Sequence, residues 1–158
     1  MFLKMRRTKQ ELSKDDAFKM LKSNSVGVLS LNGNDGYPYG VPLDYIVIGE
    51  DIYFHGASSG AKYSFIEKND KASFCVIDKS EIDGNTYSNY YKSVICFGRV
   101  SIISDSIIKE KILKEIALSV NKDLDSNFQY IKKYFNVTTV FLFRIEHISA
   151  KVATEFTP

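Results

Sequence analysis

Residues 37–48 read as a β-strand that two prolines interrupt, and this conflict restricts the fold more than any other stretch. Pro38 and Pro42 cannot donate to a strand ladder. The segment must therefore be an edge strand or carry a bulge at Gly40-Val41-Pro42. β-type runs flank it on both sides. Residues 26–31 precede it across a turn cluster holding Asn-Gly and Asp-Gly pairs, and residues 52–55 follow it across Gly49-Glu50-Asp51. Three strands joined by short turns read as an antiparallel meander.

The remaining chain adds strands at residues 72–78, 93–103 and 137–152, with a polar, tyrosine-bearing connection over 79–91. Helix signals fall between them. Ser13 with Asp15 and Asp16 marks one start, residues 62–68 form a short helix, and Asp105 caps a helix running to about Val120. Residues 128–134 suggest a further short helix. About six strands with helices inserted between antiparallel partners fit a small closed or split barrel, mainly β. Alternating βαβ units and Gly-x-Gly-x-x-Gly are missing, which argues against a dinucleotide-type parallel sheet. Residues 13–158 read as one domain, preceded by a mobile basic arm over 1–12 that carries Arg6, Arg7 and Lys9.

Composition excludes several functions. The formal net charge of +2 is too mild to imply nucleic acid. No apolar run reaches membrane-spanning length, and the N-terminus lacks a signal-peptide core. Cys75 and Cys96 lie in apolar runs without metal-ligand spacing and read as buried free thiols of a reducing compartment. The expectation is a soluble cytoplasmic protein with no membrane or nucleic-acid partner.

Three stretches carry chemical information. In Tyr53-Phe-His-Gly-Ala-Ser-Ser-Gly-Ala-Lys62 a strand passes through small residues to a lysine heading a helix. That is either a serine-capped turn or an anion seat, where free backbone N–H groups, Ser58, Ser59 and Lys62 meet a phosphate. A triphosphate-binding loop is excluded: three residues separate Gly56 from Gly60, Ala61 intervenes before Lys62, and Tyr63 follows it. His55 beside the seat is a hydrogen-bonded strand histidine or a donor to a phosphate oxygen. The second stretch, residues 38–45, frees backbone groups that can meet the polar edge of a planar heterocycle, or is simply an irregular edge strand. The third, residues 90–98, sets Tyr90 and Tyr91 before a strand whose Ser93 and Gly98 leave room beside a ligand, or is an ordinary core strand. His55 and His147 are far apart in sequence and argue against a metal site. No spacing supports a Ser/His/Asp triad or an esterase elbow.

Taken in order, GYPYGVPLDY, DIYFHGASSGAKYSFIEKNDKASFCV, YYKSVICFGRV and, after a two-helix insertion, VFLFRIEHISAK resemble the pyridoxamine 5′-phosphate oxidase-like FMN-binding split barrels. The resemblance is greatest to their nitroimidazole-resistance branch. It implies a six-stranded antiparallel split β-barrel with peripheral helices, forming a homodimer with FMN sites at the subunit interface. By position, the backbone of Pro42, Leu43, Asp44 and Tyr45 would meet the isoalloxazine ring. His55, Ala57, Ser58 and Lys62 would hold the phosphate. Ser93 and Val94 would approach from the neighbouring subunit, and Tyr91 would border the substrate space.

The implied function is an FMN-dependent oxidoreductase. It would take electrons from NADH or NADPH and reduce a small aromatic or nitro-substituted acceptor, the flavin carrying the redox chemistry without a catalytic acid–base group. The alternative is a flavin- or haem-binding carrier or sensor, with His55 or His147 as a haem ligand. Oxidation of pyridoxine phosphate fits poorly, because Arg99 and Arg144 are the only arginines after the arm and both fall inside strands.

Overall fold

A computed structural model describes residues 2–153. The last five positions of the expected domain, 154–158, lie outside the described residues, as does Met1 at the head of the arm. Seven strands form one antiparallel sheet in the order β2-β1-β5-β6-β7-β4-β3. In chain order these are β1 (Val26–Asn32), β2 (Pro38–Asp44), β3 (Ile46–Ile48), β4 (Asp51–Ala57), β5 (Lys71–Asp83), β6 (Ser88–Ile102) and β7 (Thr138–Val152). Four helices accompany them: α1 (Lys14–Ser23), α2 (Ala61–Lys68), α3 (Ser106–Val120) and α4 (Leu124–Tyr134).

The sheet curls because its two edge strands are neighbours in the chain. Only Tyr45 separates β2 at one edge from β3 at the other. A flat sheet would hold those edges several strand widths apart, so the covalent link forces them together into an open, split barrel. Tyr45 is itself the hinge pin. Its hydroxyl donates to the Leu21 carbonyl at 2.7 Å, its ring meets Phe74 edge-on at 4.9 Å, and it is buried.

This hinge explains the departures from expectation. The single strand foreseen over residues 37–48 breaks at Tyr45, raising the strand count from six to seven. The prolines do not break it. Pairing of β1 with β2 runs unshifted from Val26↔Asp44 to Asn32↔Pro38, so β2 is an edge strand without a bulge. The expected meander is two separate hairpins, β1–β2 and β3–β4, at opposite ends of the sheet. The connection expected over residues 79–91 is largely strand. β5 and β6 pair out to Asp83↔Ser88, and a tight turn holds Tyr87 at φ 51°.

The barrel interior is aromatic. Phe54, Phe74, Phe141 and Phe143 are fully buried with Leu29, Val76, Val94 and Cys96. Helix α1 begins at a Ser13 cap whose hydroxyl accepts from the Asp16 N–H, and it closes one side with Ala17, Phe18 and Leu21. Helix α2 covers the barrel mouth with Ile66, Tyr63 and Phe65. The α3–α4 hairpin makes a small second core, in which Ile112, Leu113 and Ile131 bury against Val140. Cys75 and Cys96 are free, and burial pushes the Cys96 thiol up to about 12. Residues 2–12 follow β6 and β7: the Leu12 N–H donates to the Ala150 carbonyl, and Phe2 stacks on His147 at 4.7 Å.

Candidate functional site

The β4–α2 junction is built on two glycines. Gly60 takes φ +101° as the residue before α2, a conformation that L side chains rarely adopt. It offers no capping side chain, so the serine-capped turn is not what forms, and α2 opens with no side chain on its first-turn N–H groups. Those groups are available to an anion. Gly56 provides the close approach. A Cβ there would stand 2.6 Å from the Lys62 Nζ and 3.7 Å from the Phe141 ring.

Lys62 leaves the first turn of α2 and lays its amine over the Phe54 and Phe141 rings, at 5.4 and 5.3 Å. It forms no ion pair or hydrogen bond among the described residues. Ring faces stabilise a cation by about 0.5–2 kcal/mol, less than burial costs an ammonium with no counter-charge. Accordingly, desolvation lowers the Lys62 pKa. A half-buried, unneutralised amine beside a bare helix start fits a bound phosphate.

Strand alternation divides the residues expected to hold that phosphate. Phe54 and Gly56 face the barrel interior with Lys62. His55 points to the opposite face, toward α3 and α4, and its pairing partner Val140 packs into the α3–α4 core. The two side chains still sense each other: burial first, then the charge of Lys62, lowers the His55 pKa, and Asp44 partly offsets both. Ala57 and Ser58 are exposed between them.

Beside His55 the β2–β3 hinge borders a hollow of about 690 Å³, with Asp44, Tyr45, Val47 and the end of α1 in its wall. Pro42, Leu43 and Asp44 lie on the edge strand, where the peptide groups turned away from β1 have no ladder partner. The Tyr45 N–H is already given to Ser25, and the Tyr45 side chain is consumed by the core.

Ser93 and Val94 are not brought to this site within one chain. Val94 pairs with Ala150, ten positions along β7 from Val140, the partner of His55. That is roughly 33 Å of strand at about 3.3 Å per residue. The Val94 side chain is fully buried, and its backbone lies between β5 and β7, leaving it little to offer a ligand. Ser93 is half-buried and on the outward face. Tyr91 accepts from the Lys151 Nζ at 3.2 Å and borders a polar cleft of about 560 Å³ with Arg6, Arg7 and Gln10. Sequence reasoning missed this cleft, because only the folded arm brings residues so distant in sequence together.

Arg99 donates to both Asp70 oxygens at 2.9 Å and to Glu146 at 2.9 Å, so it is committed to an ion-pair triad. His147 lies 6.3 Å from Phe97 between ring centroids, and the Phe2 ring stacks on both. No group of three metal-ligating side chains exists among the described residues, and none of their helices is long and apolar enough to cross a membrane.

Residues 13–152 match the family model described as pyridoxamine 5′-phosphate oxidase. No curated protein matches the chain. Among solved structures, the chain is similar to a candidate 5-nitroimidazole antibiotic resistance protein from Bacteroides thetaiotaomicron, with TM-score 0.73, 17% identity and coverage of 90% of this chain and 86% of that one. It is also similar to an FAD-binding protein from Mesorhizobium loti, with TM-score 0.67, 27% identity and coverage of 92% and 98%. A third similar structure is the flavocytochrome Anf3 from Azotobacter vinelandii, with TM-score 0.78, 19% identity and coverage of 96% and 72%.

Proposed function

The chain belongs to the pyridoxamine 5′-phosphate oxidase family, and we propose that it is an FMN-dependent oxidoreductase that reduces a small aromatic or nitro-substituted acceptor. The observation that carries this reading is the Lys62 amine, half-buried over two phenylalanine rings and lacking a counter-charge among the described residues. A terminal phosphate dianion would supply that charge and accept from the first-turn N–H groups of α2 and from Ser58. The unpaired edge of β2 over residues 42–44 suits the polar rim of a flavin ring. The flavin-binding and nitroimidazole-resistance neighbours support the same choice.

When bound, FMN supplies the two-electron chemistry, with NADH or NADPH as the proposed donor. The protein's part is to hold, orient and exclude water. Lys62 neutralises the phosphate, Gly56 and Gly60 permit its approach, and the β2 edge fixes the ring. Arg99 is already paired, which disfavours pyridoxine phosphate as substrate.

The working form in this reading is a homodimer. Outward residues of β1, β5 and β6 leave an apolar sheet face: Val28, Ile77, Ile95 and Phe97 are each at least 40% exposed. Ser93 lies on that face, so a second copy seated there would carry Ser93 to a site it cannot reach within its own chain.

Purified protein should be yellow, with flavin absorbance. Anaerobic NADH or NADPH should bleach it, and a nitroaromatic should restore the colour. A colourless protein that binds no FMN would remove the proposal. Flavin that no acceptor reoxidises would leave a carrier instead. A Soret band would point to haem at His55, the histidine that lines two hollows, since the Phe2 ring stacks on His147.

A further inference from the structure

The α3–α4 hairpin has no role in the reading above, yet it builds a second hollow on the far side of His55. Beyond its small core with Val140, the hairpin stands off β4 and leaves about 460 Å³, within the range of small-molecule sites. Ile116 and Ala117 of α3 form an aliphatic wall. Tyr130 and Tyr134 of α4 supply two rings with centroids 4.8 Å apart, and His55 and Asn127 are among the polar groups. No Asp, Glu, Lys or Arg lines the hollow. An ionic ligand there would lose hydration without gaining a counter-charge, whereas a neutral ring would meet aliphatic and aromatic surface.

His55 gives the hollow a direction. With Ile116 and Val120 it also lines the larger hollow at the β2–β3 hinge, so the two spaces meet at the imidazole. Burial and the Lys62 charge hold its pKa below the ordinary histidine value, leaving a neutral ring with one N–H to donate at neutral pH. Asn127 gives one amide N–H to the Asn121 carbonyl at 2.7 Å, which fixes that side chain in the wall.

We propose that the hollow under α3 and α4 is the acceptor site, and that it takes an uncharged planar aromatic molecule whose polar substituent is held by His55 where the two hollows meet. The inference rests on the oxidoreductase reading for the word acceptor. The chemistry of the ligand rests on the walls alone.

Nitrobenzene and 4-nitrobenzoate, equal in ring and nitro group but different in charge, are suitable probes. Calorimetric titration of the purified protein should show nitrobenzene binding at least tenfold more tightly. Tyr130→Asp places a carboxylate in the wall at a side chain 66% exposed, where folding tolerates it. It should weaken nitrobenzene at least tenfold and leave FMN affinity unchanged. Ala117→Phe, which fills the space, should do the same. Equal affinity for the two probes, or nitrobenzene binding indifferent to both substitutions, overturns the proposal. A protein that refuses FMN yet binds nitrobenzene in a Tyr130-dependent way sinks the oxidoreductase reading and keeps the pocket. Yellow protein with probe binding unaffected by Tyr130→Asp does the reverse.

Discussion

Lys62 holds its charge where charge is costly, and its behaviour should show it. A charge-assisted bond to phosphate contributes about 1.5–3 kcal/mol. Lys62→Ala should therefore weaken FMN binding roughly 10- to 100-fold, read by quenching of flavin fluorescence, and unchanged affinity would remove the phosphate assignment. The pH dependence has a definite sign. Lys62 must be protonated to attract the anion, and burial lowers its pKa. Affinity should then decline on the alkaline side at a lower pH than for an ordinary lysine, and Lys62→Arg should abolish that decline. His55 acts on stability instead. Its folded pKa lies below its unfolded value, so as pH falls through the ordinary histidine range the unfolded chain takes a proton that the folded chain refuses. Urea midpoints should drop from pH 7.5 to pH 5.5, and the drop should shrink in His55→Gln.

At the scale of elements, the hinge between β2 and β3 is the joint on which the barrel depends. Tyr45→Phe keeps the ring against Phe74 but leaves the Leu21 carbonyl unpaired in the interior. The expected cost is about 1–3 kcal/mol, measured as a lowered urea midpoint with unchanged slope. Helix α3 offers a contrasting case at the surface. The Asp105 carboxylate accepts from the Ile107 and Ile108 N–H groups at 2.8 and 3.0 Å. Asp105→Ala should cost about 1 kcal/mol and, since the hairpin walls the hollow beside His55, also loosen nitrobenzene binding.

The whole molecule is a curled sheet whose outward face exposes Val28, Ile77, Ile95 and Phe97. Across four strands the rows Val28-Cys75-Ile95-Ser149 and Ser30-Ser73-Phe97-His147 lie in register. The exposed Val28, Ile77, Ile95 and Phe97 on this face are where the proposed dimer would seat its second copy. Ile95→Lys, at a side chain 41% exposed, should leave the fold intact while shifting sedimentation toward monomer. If the partner supplies Ser93 to the flavin site, FMN affinity should fall in parallel. A monomeric wild type, or a monomeric variant that keeps full FMN affinity, would refute the shared site.

Much of this was legible in local chemistry. Proline without an N–H left an edge or a bulge for the strand over residues 37–48, glycines and small residues marked the passage into α2, and Ser13 and Asp105 announced their helices. Those are properties of one residue or one turn, and they survive any packing. The strand break at Tyr45, the pairing of β4 with β7 and the separation of His55 from Lys62 across β4 were not legible. Each depends on which distant strand becomes the neighbour, and that is chosen by the closure of the whole sheet. The sequence alone therefore determined that a strand passes through small residues into a helix whose first turn carries Lys62. Only the tertiary structure decided that Lys62 waits inside the barrel mouth while His55 turns outward to a second, uncharged hollow, because curling the sheet gives the two faces of one strand two different environments.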